Sequence, residues 1–253
     1  METDPTQKVV ATQQLRLDWL NKQYVAVDEG EVKPLLIPGR PDKPLLVAPK
    51  QLSKRSPHTT EGKAALVHAI CHIEFNAINL ALDAVYRFRG LADEFYADWL
   101  QVASEEAYHF SLLAEQLENL GYQYGDFVAH NGLWEMAVET GHDVLVRMAL
   151  VPRVMEARGL DATPSIMNKL QSVGDTAIVD VLKIIQADEV GHVEIGTKWY
   201  RYFCAQREVA PLETFIALVE QYMKGSIRGP FDVEMRKKAG FTAEELAYLH
   251  QVG

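Results

Sequence analysis

The chain has 253 residues, of which 48% are hydrophobic and 24% are charged, so it can bury a sizeable core. It contains 25 Lys and Arg against 35 Asp and Glu, and the net charge of −10 argues against a protein that holds nucleic acid through phosphate contacts. No stretch approaches the roughly 20 consecutive apolar residues of a membrane span, and the N-terminus lacks a signal-peptide layout. The two cysteines, Cys71 and Cys204, exclude a disulfide framework, and we expect a cytoplasmic protein.

The N-terminal region is predicted to contain one helix and one extended arm. Residues 7–26 form the predicted helix, with Val10, Leu15 and Leu20 among its apolar positions. The segment 29–57 contains six of the chain's eleven prolines, which excludes a regular helix and favours an extended path. Because leucines are interleaved with these prolines, we expect the arm to lie on the body of the protein.

Helical patterns dominate the rest of the chain. The third of the long patterns is interrupted near Gly141 and strained at Pro152, and only a short helical segment is predicted after Pro164. Short helices are predicted in the C-terminal tail, and no alternating strand pattern occurs. The long helical patterns lie at 60–90, 93–120, 133–158 and 175–206.

These elements predict an all-α fold class. We expect a four-helix bundle at 61–206, with the N-terminal helix and arm of 1–60 packed on it and a helical tail at 207–253. The three parts are predicted to form one structural domain.

Acidic and histidine side chains interrupt the apolar stripes of all four long helices. The second helix carries Glu106 and His109, and the fourth carries Glu189 and His192, each pair in a Glu-x-x-His spacing. The first and third helices carry one glutamate each on the corresponding stripe. These two glutamates are Glu74 and Glu156.

Four carboxylates buried in hydrocarbon are strongly unfavourable unless they are protonated or paired. Few cations lie on the same stripes, whereas two divalent metal ions would balance the four negative charges. The order also repeats, because Glu74 precedes Glu106 by 32 residues and Glu156 precedes Glu189 by 33. One Glu from each of two helices and Glu-x-x-His from the other two is the ligand set of di-iron carboxylate bundles. We therefore predict that all six side chains converge on two metal ions, iron in the first place and manganese as the alternative.

A third Glu-x-x-His pair, Glu139 and His142, is a rival by spacing, since Glu139 follows Glu106 by 33 residues. Gly141 interrupts its helix, and its use would leave the Glu189 pair unexplained. We interpret this third pair as lying outside the site, because a short motif needs a matching structural context.

Three other features have two interpretations each. Arg153 and Arg158 could hold Glu156 in a surface salt bridge instead of at a metal. Tyr108, beside His109, is either a redox-active phenol or a packing residue. The arginines of the helical region form either a basic rim for an anionic or RNA substrate or a set of scattered, solvated charges.

The six-residue constellation resembles the ferritin-like superfamily of di-metal carboxylate proteins. Within it, the segments HAICHIEFNAINLALDAVYRF, EEAYHF, RMALVPRVMEARGLDATP and ADEVGHVEIGTKWY are similar to a bacterial ferritin-like family known only as a domain of unknown function. The PGRPDKP arm and the GPF segment at 229–231 fit the same family, so the resemblance covers most of the chain. It implies the fold and the metal ligands, and it implies no particular reaction.

The leading hypothesis is a di-metal oxidase or oxygenase that uses O₂ to oxidise a small-molecule substrate, with electrons from an unidentified donor. The alternative is iron handling, as a ferroxidase, a storage protein or a peroxide scavenger, although no Cys-x-x-Cys pair is present to hold a rubredoxin-type iron. A tRNA hydroxylase is disfavoured by the net charge, and an inactive scaffold by the intact ligand set. We expect no membrane or nucleic-acid partner, and a small oligomer such as a homodimer.

Overall fold

A computed structural model of the chain describes residues 2–23, 30–52 and 56–253. These residues form helices and connecting segments, with no strand among them and one isolated bridge between Leu46 and Ala129. The all-α fold class predicted from the sequence is confirmed. The helices are α1 (Pro5–Leu20), α2 (Thr60–Arg87), α3 (Asp93–Asn119), α4 (Gly132–Glu139), α5 (Val144–Leu150), α6 (Arg158–Ser172), α7 (Thr176–Gln206), α8 (Pro211–Tyr222), α9 (Val233–Lys238) and α10 (Ala243–Val252).

The chain divides into two compact units. The first contains residues 1–138 and 170–181, and the second contains residues 139–169 and 182–253. The division predicted from the sequence, into an N-terminal arm, a bundle and a C-terminal tail, stays a prediction. Each unit is described in turn below.

In the first unit, α2 packs along α3, and α1 packs on α3. The hydroxyl of Thr59 caps α2 by accepting a hydrogen bond from the backbone N–H of Gly62 at 3.0 Å. After α2 and after α3 the chain turns at Gly90 and Gly121, whose φ angles of +71° and +81° suit glycine. These helix ends agree with those predicted from the sequence.

Among the described residues, α2 is the one helix that is long and apolar enough to cross a membrane. An 18-residue window within it has a mean hydropathy of 1.4, but 67% of that window is buried inside the protein. A buried helix of this composition is typical of the core of a soluble protein. Its apolar character is therefore explained by packing.

The helix α1 does not bury the side chains that its sequence suggests. Val10 and Leu20 are 59% and 58% exposed, whereas Lys8 and Thr12 are 5% and 3% exposed. The helix ends at Leu20, earlier than predicted, and the part of the prediction that falls on 24–29 lies outside the described residues.

The proline-rich arm, which belongs to the first unit, makes hydrogen bonds with α2 and α4. The indole N–H of Trp134 donates a hydrogen bond to the carbonyl of Leu36 at 3.1 Å. The backbone N–H of Lys33 donates to the hydroxyl of Tyr86 on α2 at 3.0 Å. Residues 53–55 of the arm lie outside the described residues.

The third helical region is divided near Gly141, as predicted. Asp143 caps α5, because its carboxylate accepts a hydrogen bond from the backbone N–H of Leu145 at 2.7 Å. The segment that follows α5 is a π-helical turn, Val151–Glu156, which contains Pro152. Strain at this proline is therefore accommodated by a wider turn rather than by a break.

The helix α6 is longer than the short segment predicted after Pro164. It begins at Arg158 and continues through that proline. Asp161 in its first turn accepts hydrogen bonds from Arg158 at 3.1 Å and from Arg236 at 2.7 Å and 2.9 Å. These contacts hold the start of α6, so the loss of one backbone hydrogen bond at the proline leaves the helix intact.

In the second unit, α8 packs against α5 and α10, and a buried arginine lies at the centre of the packing. Arg153 of the π-helical turn is 0% exposed, and its Nη2 is 2.7 Å from Oε1 of Glu245 on α10. Its guanidinium lies 4.5 to 4.6 Å from three ring centroids, an arrangement that favours cation–π attraction. The rings are those of Tyr200, Phe215 and Phe241.

Candidate metal centre

In the first unit, α2 and α3 bring Glu74, Glu106 and His109 together. One possible ligand atom from each residue lies within 4.8 Å of the other two. Nδ1 of His109 is 3.3 Å from Oε2 of Glu74 and 3.5 Å from Oε2 of Glu106. The Glu-x-x-His spacing places two of these side chains on one face of α3, and the adjacent α2 supplies the third.

All three side chains are removed from solvent, with exposed fractions of 3% for Glu74, 1% for Glu106 and 0% for His109. Burial, and then the charge of Glu106, raise the pKa of Glu74 well above its ordinary value. Burial alone lowers the pKa of His109, but hydrogen bonds and charges from Glu106 and Glu74 outweigh it and raise that pKa to about 11. The metal-free cluster therefore retains protons at neutral pH, and a metal ion bound here would displace them.

In the second unit, α7 carries Glu189 and His192 one helical turn apart. Nδ1 of His192 is 3.9 Å from Oε1 of Glu189. His192 is 1% exposed, and Glu189 is 8% exposed. Glu156 belongs to the same unit, is 8% exposed, and occupies the last position of the π-helical turn. Turns of this kind are frequent at functional sites. Each unit thus holds a buried set of carboxylate and imidazole side chains.

The donor atoms of these clusters suit a metal ion. Oε2 of Glu74 is buried and accepts no hydrogen bond of standard geometry from the described residues, and a bound cation satisfies such an atom. Carboxylate oxygen and imidazole nitrogen are ligands of iron and manganese, whereas structural zinc sites are built from cysteine and histidine. The cluster of Glu74, Glu106 and His109 can therefore hold a metal ion.

The third Glu-x-x-His pair does not lie in a buried cluster of carboxylate and imidazole side chains. The helix α4 ends at Glu139, and the side chains of Glu139 and His142 are both exposed. Nδ1 of His142 is 3.0 Å from the backbone carbonyl oxygen of Glu139. This agrees with the interpretation of the pair as lying outside the site.

The arginines near Glu156 in the sequence have partners elsewhere in the second unit. Arg153 pairs with Glu245 at 2.7 Å, and Arg158 pairs with Asp161 at 3.1 Å. Glu156 itself is buried. Its burial does not agree with a salt bridge at the surface, and its role as a metal ligand stays a prediction.

Exposure and pairing place three further residues that the sequence analysis singled out. Tyr108 is 48% exposed, so its side chain lies at the surface although it directly precedes His109. Arg147 is buried and donates to Thr140 at 2.8 Å, while Arg87 pairs with Asp83 at 2.7 Å. Both arginines are thus engaged in contacts within the protein.

The sequence analysis missed two buried groups. Lys8 is 5% exposed and donates from Nζ to Oδ1 of Asn79 at 2.8 Å. Arg153 and Glu245 are separated by 92 residues, so no local pattern relates them. Lys, Arg and Glu are most often found at the surface, and no signal in the sequence marks these three side chains as buried.

An all-α protein with buried carboxylate–histidine clusters is thus the class that fold and site define. A family model described as "Protein of unknown function (DUF455)" matches residues 1–247, and the chain belongs to that family. A Haemophilus influenzae protein described as uncharacterized is 52% identical over 219 residues, which cover 84% of this chain and 76% of the relative. No solved structure matches the chain.

Proposed function

We propose that the protein is a ferritin-like di-metal carboxylate protein that activates O₂ to oxidise a small organic substrate. The proposed metals are iron, with manganese as the alternative, and the proposed location is the cytoplasm. The proposed metal ligands are Glu74, Glu106, His109, Glu156, Glu189 and His192.

The observation that carries the proposal is the buried triad of Glu74, Glu106 and His109, whose ligand atoms lie within 4.8 Å of one another. Two carboxylates and one imidazole at this separation, all at most 3% exposed, are costly without a cation. The repeat of the same residue types at Glu156 and Glu189-x-x-His192 supports a second metal ion.

Within this proposal the side chains have distinct roles. His109 and His192 bind through nitrogen, and the four glutamates supply the negative charge that two divalent ions neutralise. A bound pair of redox-active ions supplies the electrons that reduce O₂. The buried residues Val102, Ala103 and Ala107 of α3 exclude water around the pair on that helix.

The test is metal loading of the purified, metal-free protein with Fe²⁺ under anaerobic conditions, followed by addition of O₂. We expect about two iron ions per chain and a single round of O₂ uptake. The Glu106→Gln variant should bind less than half as much iron as the natural protein, because the amide carries no negative charge. Glu139→Gln is the matched control and should load as the natural protein does, since Glu139 is exposed and outside the triad.

Each alternative gives a different result in the same experiment. Uptake of many Fe³⁺ ions per chain would indicate iron storage instead of an oxidase. An absence of bound metal would indicate a scaffold. Equal losses of iron in Glu106→Gln and Glu139→Gln would contradict the ligand assignment.

A further inference from the structure

A cavity of about 390 Å³ lies in the first unit, between α1, α2, the proline-rich arm and α4. From α1 it is lined by Lys8 and Leu15, which are seven residues apart and therefore share one face of the helix. From α2 it is lined by Asn79 and Leu82, and from α4 by Trp134. The size falls in the ordinary range of small-molecule sites, about 300 to 1,000 Å³.

Lys8 is the unusual group in this wall. Its side chain is 5% exposed, and its Nζ donates to Oδ1 of Asn79 at 2.8 Å and lies 5.5 Å from the ring centroid of Phe75. In the described part of the chain, no carboxylate lies within ion-pair distance of this ammonium. Burial lowers the pKa of Lys8 to about 8, although the charge of Glu2 acts in the opposite direction.

The acidic groups that line the same cavity are engaged elsewhere. Asp83 accepts two hydrogen bonds from Arg87, at 2.7 Å and 3.0 Å, so that its charge is balanced on α2. Oε1 of Glu2 accepts hydrogen bonds from the backbone N–H groups of Thr3 and Asp4 at 2.7 Å and 2.8 Å. The cavity therefore combines a mostly apolar wall with one buried ammonium whose hydrogen-bond partner is neutral.

We propose that this cavity is a binding site for a small monocarboxylate with an apolar body, whose carboxylate pairs with Lys8. An ammonium buried beside an apolar space lacks the solvation that it has in water, and an anionic group restores a counter-charge. The apolar body of the ligand gains from contact with Leu15, Leu82 and Trp134. Asn79 fixes the direction of the ammonium, because its carbonyl oxygen accepts one of the three N–H groups.

This site is independent of the proposed metal centre. Its lining residues contain none of the six candidate metal ligands. Binding can therefore be measured on metal-free protein, and failure of the di-metal proposal does not affect the result.

The test uses isothermal titration calorimetry with octanoate, octan-1-ol and octylamine, three probes that share one apolar chain and differ in the head group. We expect octanoate to bind at least ten-fold more tightly than octan-1-ol, since a charge-assisted hydrogen bond contributes roughly this factor. Lys8→Met, which keeps an unbranched apolar side chain without the charge, should lose this preference.

Two further variants complete the design. Lys63→Met is the matched control, because Lys63 lies in the same unit but pairs with Asp175 at 2.9 Å away from the cavity lining. It should bind octanoate as the natural protein does. Ala11→Trp places a large side chain at an exposed position of the cavity rim and should abolish octanoate binding without touching Lys8.

Three results would overturn the proposal: no binding of octanoate to the natural protein, equal binding to the natural protein and Lys8→Met, or tighter binding of octylamine than of octanoate. Retained binding in Ala11→Trp would also overturn it, because the ligand would then lie elsewhere. A thermal melt of each variant confirms that a loss of binding is not a loss of folding.

Discussion

Buried histidines in the first unit fall into two electrostatic environments. His109 lies between two carboxylates, which raise its pKa to about 11 despite the opposing effect of burial. His68 and His72 on α2 are buried, and burial lowers the pKa of each to about 4, although the charge of Asp126 acts in the opposite direction on His68. Nε2 of His68 accepts a hydrogen bond from the backbone N–H of Gly125. Only the neutral imidazole can make this contact, because both ring nitrogens of a protonated histidine are donors.

The first prediction concerns acid stability and His68. Its pKa in the folded protein, about 4, lies below the ordinary value of 6.5, so the unfolded state binds more protons between these two pH values. Stability should therefore fall as the pH drops from 6.5 to 4. His68→Gln keeps an acceptor for Gly125 and removes the titration, so its urea midpoint should fall less over this range.

The comparison for this prediction is His142→Gln, which changes an exposed histidine. Its midpoint should follow that of the natural protein at each pH. If His68→Gln and the natural protein lose stability equally on acidification, burial of His68 does not contribute to the acid response.

At the scale of single elements, the π-helical turn Val151–Glu156 organises the second unit. Its Arg153 connects to α10 through Glu245, and its Pro152 packs against α7 at Gly196. A Cβ atom at Gly196 would lie 2.5 Å from the ring of Pro152, so only glycine allows this approach. A small residue on a buried helix can leave open space beside it. At Gly196 no such space remains, because the ring of Pro152 fills it.

The second prediction tests the connection between the π-helical turn and α10. Glu245→Gln preserves the capping box of α10, in which Glu245 accepts from the backbone N–H of Thr242 at 2.9 Å, because glutamine serves equally there. It removes the charge opposite the fully buried Arg153. We expect a loss of about 3 kcal/mol in the free energy of unfolding, measured by urea denaturation.

Glu234→Gln provides the reference for an exposed pair of the same type. Glu234 and Lys237 are 3.1 Å apart, with side chains 77% and 51% exposed. This substitution should change stability by less than about 0.5 kcal/mol. Similar losses for the buried and the exposed variant would mean that the Arg153–Glu245 pair does not anchor the turn.

At the scale of the whole molecule, the two compact units carry the same functional residue types. Each contributes one single glutamate and one Glu-x-x-His pair, all buried. Metal that binds the folded protein raises its stability. If a unit takes part in metal binding, replacement of one of its ligand candidates should remove this gain, and if it takes no part, the gain should remain.

The third prediction separates these cases through thermal melts with and without Fe²⁺ or Mn²⁺. Metal at 100 times its dissociation constant should stabilise the natural protein by about 2.7 kcal/mol per site. Glu74→Gln in the first unit and Glu189→Gln in the second should each remove most of this gain. Glu74→Gln should leave the metal-free protein about as stable as before, because the raised pKa of Glu74 already favours its neutral form, which the amide resembles.

Glu139→Gln should keep the full metal-induced shift in these melts. A full metal-induced shift in Glu74→Gln or in Glu189→Gln would contradict the assignment of that residue as a metal ligand. A natural protein whose melting temperature does not respond to metal would contradict the di-metal proposal as a whole.

Local rules in the sequence predicted the elements that depend on local chemistry. The cap at Thr59 and the turns at Gly90 and Gly121 mark helix ends, and proline density marks the extended arm. The burial of all six ligand candidates followed from their positions on apolar stripes.

The features that were missed depend on contacts between distant residues. Lys8 is buried because α1 meets Asn79, 71 residues later, and not because of any pattern within α1. The continuation of α6 through Pro164 depends on Asp161 and its contact with Arg236, 75 residues later. Such contacts are specified by tertiary packing, which periodicity along one helix does not contain.

The π-helical turn also gives the protein a particular tolerance of changes in chain length. A turn of this kind contains more residues than an α-helical turn, so deletion of one residue between Val151 and Met155 would let the segment revert to regular α-helix. The residues on either side would keep nearly the same orientation, because the deleted residue is the one that the wider turn accommodates. Deletion of one residue within a regular helix such as α7 would instead rotate every later residue by about 100°. Among descendants of this gene, deletions of one residue should therefore be tolerated more often in this turn than in α7.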